Sequence, residues 1–136
     1  MKINWKRILV AAILAELVLF AIYLPGRRQY ADPSSHFRHI FLLCMVILMF
    51  LGGLWVARKI ESHFILHGLL IGIVANVIYV FLAPLFVLRT SPSPRFHWMA
   101  LIIWALPKML PAAAGAYVGG IRRKKLFSAQ AAKPPS

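Results

Sequence analysis

Four apolar stretches, roughly residues 6–24, 38–57, 64–88 and 97–120, are each long enough to cross about 30 Å of hydrocarbon. Lipid offers the backbone no hydrogen-bonding partners, so each stretch is expected to be a helix that satisfies its own ladder. The fold class that follows is all-α: a polytopic membrane protein with four transmembrane helices in an up-down-up-down bundle. The chain is 61% hydrophobic with a mean hydropathy of +0.76, against about 45–50% apolar in ordinary soluble domains. Residues 1–125 then form a single transmembrane domain with no room for a separate soluble one. Residues 126–136 read as a disordered cytoplasmic tail.

A formal charge of +13 in a soluble protein would suggest a nucleic-acid partner. Here the cations gather at the ends of the apolar stretches instead, which points to a bilayer and to no nucleic acid. With the N-terminus in the cytoplasm, Lys2, Lys6, Arg7, Arg58, Lys59, Arg122, Arg123, Lys124, Lys125 and Lys133 fall inside, and Arg27, Arg28, Arg38, Arg89 and Arg95 outside. That bias favours the cytoplasmic membrane with both termini cytoplasmic. The first stretch is not expected to be a cleaved signal peptide. Its core is long, contains Glu16 and ends at Tyr23-Leu24-Pro25-Gly26 without a small-x-small site. A single cysteine, Cys44, forms no intrachain disulfide and says nothing about compartment.

Small residues set the expected contacts between helices. In the first helix Ala12 shares a face with Glu16, beside Ala11 and Ala15. The second is apolar throughout its middle and closes in Gly52-Gly53, with Ser34 or Ser35 as its cap. The connection to the third helix is short, Ser62 being a cap there, and is expected to make helices 2 and 3 antiparallel neighbours. Helix 3 carries Gly68, Gly72 and Asn76 at four-residue spacing, and Pro84 weakens its outer end. Helix 4 repeats the device with Ala112, Ala116 and Gly120, on the same stripe as Lys108.

Lys108 breaks the apolar pattern most sharply. It stands between Pro107 and Pro111, about eleven residues from the nearest polar flank and some 16 Å deep at the helical rise. Only Glu16 among the acidic residues lies at comparable depth, and Asn76 joins them within about a turn of the midplane. A lone charge there costs at least about 2.5–3.5 kcal/mol, so each is expected to face inward toward a partner. In an up-down-up-down bundle helix 1 lies beside helices 2 and 4, which would let Glu16 meet Lys108. Such a pair is expected to fix helix register; the functional alternative is a proton or ion relay.

A weak internal repeat runs through these helices. Ala12-Ile13-Leu14-Ala15-Glu16-Leu17-Val18 is similar to Gly72-Ile73-Val74-Ala75-Asn76-Val77-Ile78, and Gly53-Leu54-Trp55-Val56-Ala57 to Gly115-Ala116-Tyr117-Val118-Gly119. The nearly equal offsets suggest two tandem helical hairpins related by an axis along the membrane normal.

The remaining polar groups carry less. His63 and His67 stand four apart, but with no third ligand near them in sequence they read as interfacial histidines, and no metal site is expected. Arg122-Arg123-Lys124-Lys125 is an orientation signal that also attracts anionic lipid headgroups. Trp5, Trp55, Trp98 and Tyr117 fit interfacial belts. There is no phosphate-binding Gly-rich loop, no Ser-His-Asp set, no paired carboxylates and no cofactor motif, so the chain is not expected to be an enzyme.

In layout the chain resembles small uncharacterised four-helix membrane proteins of bacteria, through Gly52-Gly53-Leu54-Trp55-Val56-Ala57-Arg58 closing one hairpin and His67-Gly68-Leu69-Leu70-Ile71-Gly72 opening the next. That resemblance implies no activity. Ala12-Ile13-Leu14-Ala15-Glu16 is similar to the first-helix segment of the small multidrug resistance exporters, which implies that Glu16 would be shared by protons and cationic substrates. That family's helix 3 and helix 4 signatures do not appear. The leading expectation is a structural or accessory membrane component that acts by packing with itself or with a partner. The alternative is a small proton-coupled transporter using Glu16.

Overall fold

The computed structural model of the chain describes residues 3–31, 36–60, 62–86 and 94–131. They form four helices, α1 (Trp5–Ala31), α2 (Phe37–Ala57), α3 (Phe64–Phe86) and α4 (Pro94–Ala131), with no strand among the described residues. Each contains a segment long and apolar enough to cross a membrane: Trp5–Gly26, Phe37–Ala57, Phe64–Leu82 and Ile102–Leu126. The four-helix membrane bundle expected from hydropathy is therefore the fold. Successive helices run in opposite directions, so both termini lie at one end, called here the termini end, and the α1–α2 and α3–α4 connections lie at the far end.

Three boundaries differ from the sequence reading. α1 does not stop at Leu24 but continues through Pro25 to Ala31. A proline removes one ladder hydrogen bond, and the Arg-Arg-Gln-Tyr-Ala run beyond it tolerates a helix well. α4 begins at Pro94, where the missing N–H costs nothing in the first turn. It runs past Gly119-Gly120 to Ala131, so the disordered tail expected from residue 126 is corrected to helix as far as 131. The reason is local: Arg122 to Leu126 are strong helix formers, and the two glycines serve close packing instead of a stop. Residues 132–136 lie outside the described residues, as do Ser34 and Ser35, the expected caps of α2.

The α2–α3 connection also turns differently. Ser62 does not directly precede α3; His63 does, in the left-handed region at φ 55°. That conformation costs a non-glycine residue about 1–2 kcal/mol. Its carbonyl accepts both the His67 backbone N–H at 3.2 Å and the His67 ring Nδ1–H at 2.9 Å, which holds the turn.

Neighbour relations are the main departure from expectation. α2 and α3 form the middle of the bundle; α1 packs against both on one side, and α4 against both on the other. Among the described residues α1 and α4 have no close backbone approach, so helix 1 is not flanked by helix 4. Small residues on two faces of α4 explain this. Its Ala112 and Ala116 meet Gly53 of α2, while Ala112 and Met109 meet Gly68 and Gly72 of α3. α4 thus wedges into the α2–α3 groove more deeply than α1, whose Ala11, Ala12 and Ala15 line its buried stripe. Apolar side chains gain nothing by leaving lipid, so close van der Waals contact decides which faces turn inward.

The α2–α4 crossing is locally two-fold. A Cβ placed on Gly53 would overlap the backbone at Ala112 and Ala116; one placed on Gly115 would overlap it at Phe50 and press on Leu54. An offset of 62 residues carries Gly53, Phe50 and Leu54 onto Gly115, Ala112 and Ala116. Of the two segment pairs in the sequence repeat, 53–57 with 115–119 has this offset and 12–18 with 72–78 has 60. The symmetry does not extend to the whole bundle, because α2 and α3 touch where α1 and α4 do not.

Candidate functional site

Glu16 sits on the buried stripe of α1 with Ile8, Ala12, Ala15 and Leu19, the three-and-four spacing of one helix face. Lys108 sits in α4 between Pro107 and Pro111, both inside the helix. Met109 faces Gly72, whereas Phe20, one turn beyond Glu16, stacks on Tyr79. The lysine backbone is therefore about half a turn nearer the termini end than the glutamate. Long helical side chains lean toward their own N-terminus, which for α4 is the far end. The Lys108 side chain uses that lean to pass between α2 and α3, and its Nζ donates to Glu16 Oε1 at 2.5 Å.

Both side chains are almost fully withdrawn, 3% exposed for Lys108 and 1% for Glu16. Two opposite charges in contact there remove the cost either would carry alone. Asn76, the third polar residue expected at this depth, is buried but does not line the cavity beside the pair. The geometry thus unites Glu16 and Lys108.

Aromatic rings surround the pair on its far-end side. The ammonium of Lys108 stands 4.5 Å from the Tyr79 ring centroid, within the range of a cation–π contact. Tyr79 stacks on Phe20 with centroids 6.2 Å apart and leans on Trp104 at 6.4 Å; Tyr23 meets Phe41 edge-on at 5.8 Å. Between these rings lies a cavity of about 50 Å³, with Glu16 and Lys108 among its walls, together with Leu19 and Met45. Toward the termini end the space closes. Ala12, Met49, Ile71 and Ala112 are wholly buried, and Ala112 fills the gap between Gly53 and Gly68.

The sequence reading did not single out Phe20, Phe41, Tyr79 or Trp104, and it named Tyr23 only in the segment that ends the first stretch. Spacing held the signal: Phe20 follows Glu16 by four, Trp104 precedes Lys108 by four, and Tyr79 follows Asn76 by three.

The residues assigned to helix packing all prove buried: Ala12, Gly68, Gly72, Ala112, Ala116 and Gly120. Their contacts are inside the chain, including Phe64 against Gly120. At the termini end His67 is buried within the bundle. Its Nδ1–H donates to the His63 carbonyl and its Nε2 accepts the Asn4 backbone N–H at 3.4 Å, so both ring nitrogens are engaged within the fold. Among the described residues no three metal-ligating side chains come together. Of the basic run, Arg123 is half-buried and its guanidinium donates to the Ile60 carbonyl, while Arg122, Lys124 and Lys125 are exposed. Arg7 lies over the Trp55 ring at 5.9 Å, near the same end.

Fold and composition together define a multi-pass α-helical membrane protein with a buried ion pair at its centre. No family model, no curated protein and no solved structure matches the chain.

Proposed function

We propose that this chain is a structural or accessory component of the cytoplasmic membrane, with both termini in the cytoplasm, that acts by packing against a second copy or a partner membrane protein. It performs no catalysis of its own. The observation that carries this reading is the concentration of polar and close-packing features on holding one arrangement. The mid-depth charges neutralise each other, and the small-residue stripes are used inside the bundle. Any association then runs through the apolar outer rows, such as Ile102, Leu106 and Leu110 of α4 or Leu9, Ile13 and Leu17 of α1. Arg7, Arg58, Lys59 and the Arg122-Arg123-Lys124-Lys125 run at the termini end support the orientation, and the same cations suit anionic lipid headgroups. Cysteine crosslinking at Leu14 and Leu106 in native membranes, in a Cys44→Ser background, should trap dimers or heteromers. Recovery of monomer alone would overturn the reading.

A second reading, a small proton-coupled transporter using Glu16, is favoured by the cavity that reaches the carboxylate. Against it, the place a cationic substrate would take beside Glu16 is held by the Lys108 ammonium. It requires Glu16→Gln to abolish pH-driven flux in proteoliposomes while the bundle stays folded.

A further inference from the structure

We infer that the Glu16–Lys108 pair is hydrated from the far end of the bundle only, through the aromatic-lined cavity, and that this cavity is a site for water rather than for an organic ligand. The inference rests on the cavity and its walls, not on the transport reading, since a pocket can be wet without carrying flux. Size is the first argument. About 50 Å³ is room for roughly three or four water molecules and too little for a drug-sized ligand.

Hydrogen-bonding capacity is the second. An ammonium has three donors and a carboxylate about four acceptor positions. Among the described residues, the direct bond from Lys108 to Glu16 uses one of each, and the Tyr79 face takes up one further side of the ammonium. The remaining capacity belongs to two charged side chains that line the cavity, and leaving such groups unmet costs about 1–3 kcal/mol apiece. A buried water needs two to four polar partners, and the pair provides them.

Direction is the third argument. Tyr23, Phe41 and Trp104 extend the cavity wall toward the far end. On the other side Ala12, Met49, Ile71 and Ala112 admit no solvent at all.

The test uses single cysteines in a Cys44→Ser background, reconstituted in vesicles and treated with a membrane-impermeant methanethiosulfonate. Exposed Arg38→Cys and Ser62→Cys mark the far end and the termini end. Leu19→Cys and Met45→Cys, which widen the cavity, are expected to label from the Arg38 side, while Ala12→Cys and Met49→Cys resist reagent from both. Leu19→Cys and Met45→Cys that stay unlabelled, or that label from the Ser62 side, overturn the inference. Because a substitution at the centre can unfold the bundle, the unaltered chain provides a second readout. Radiolytic hydroxyl labelling, whose reagent forms from the resident water, should oxidise Met45, which lines the cavity, and spare Met49, which is wholly buried beyond it. A Met45 that stays unmodified, or a Met49 that reacts equally, sinks the proposal even where the cysteine variants misfold.

Discussion

Lys108 and Glu16 are in contact at 2.5 Å although, among the described residues, the helices that carry them make no close backbone approach. The lysine reaches through the α2–α3 layer, so the pair ties the outermost helix, α1, to the helix on the opposite side. Close packing of small residues joins α2, α3 and α4, and α1 adds to this polar contact a buried stripe of Ile8, Ala12, Ala15 and Leu19 packed on α2 and α3.

It follows that Glu16→Gln and Lys108→Met should each destabilise the bundle by about 3–5 kcal/mol, because each leaves the other charge buried without a partner. The double substitution should recover much of that loss, since two neutral side chains have no desolvated charge to compensate. Reversible unfolding in mixed micelles measures all three variants. Strictly additive losses would mean that the two groups do not interact.

The Tyr79 ring should contribute separately. Tyr79→Phe keeps a π face beneath the Lys108 ammonium and is expected to cost little through that contact, whereas Tyr79→Leu removes it at about 0.5–2 kcal/mol. In a Lys108→Met background the difference should shrink by the cation–π share, leaving what the ring contributes against Phe20 and Trp104. Persistence of the full difference there would assign the ring a packing role only.

Two adjacent glycines in α2 should respond in opposite ways. Gly53→Ala places a methyl group into the backbone at Ala112 and should cost about 1–3 kcal/mol through overpacking. Gly52→Ala meets only the Ala11 methyl group at 3.9 Å, an ordinary contact, and should stabilise the helix by up to about 1 kcal/mol. Gly115→Ala should match Gly53→Ala, because the crossing of α2 and α4 is reciprocal. Paired unfolding measurements on the three variants check the order, and a tolerant Gly53 would contradict the close approach.

The spans were legible in the sequence because length and hydropathy are what a bilayer selects, and Glu16 and Lys108 were legible because mid-depth charges of opposite sign are so scarce. Neighbour order was not. Small residues on more than one face of α4 allow it to sit between α2 and α3, and a stripe such as Gly68-Gly72 does not say which helix will fill it. The aromatic walls were hidden for a related reason: Phe20 and Phe41 look the same in sequence as rings that face lipid. Helix ends failed where glycine and proline had a packing use. Pro25 and Gly26 lie within α1, and a Cβ on Gly26 would overlap the Phe37 ring.

The termini end offers a final test that is independent of the membrane interior. Arg123 bonds the Ile60 carbonyl in the connection between α2 and α3, so it ties the extension of α4 to the turn strained at His63. Arg123→Ala should cost about 1.5–3 kcal/mol, the usual worth of a hydrogen bond to a charged group. Arg122→Ala, one residue away and exposed, should lie within about 0.5 kcal/mol of the parent. Amide exchange separates the local effect from the global one. Losing the tie should speed exchange in the 58–64 connection and the last turns of α4 while leaving the centre of α3 protected. Equal effects from both arginines would show that their charge near the membrane surface matters and that the bond to Ile60 does not.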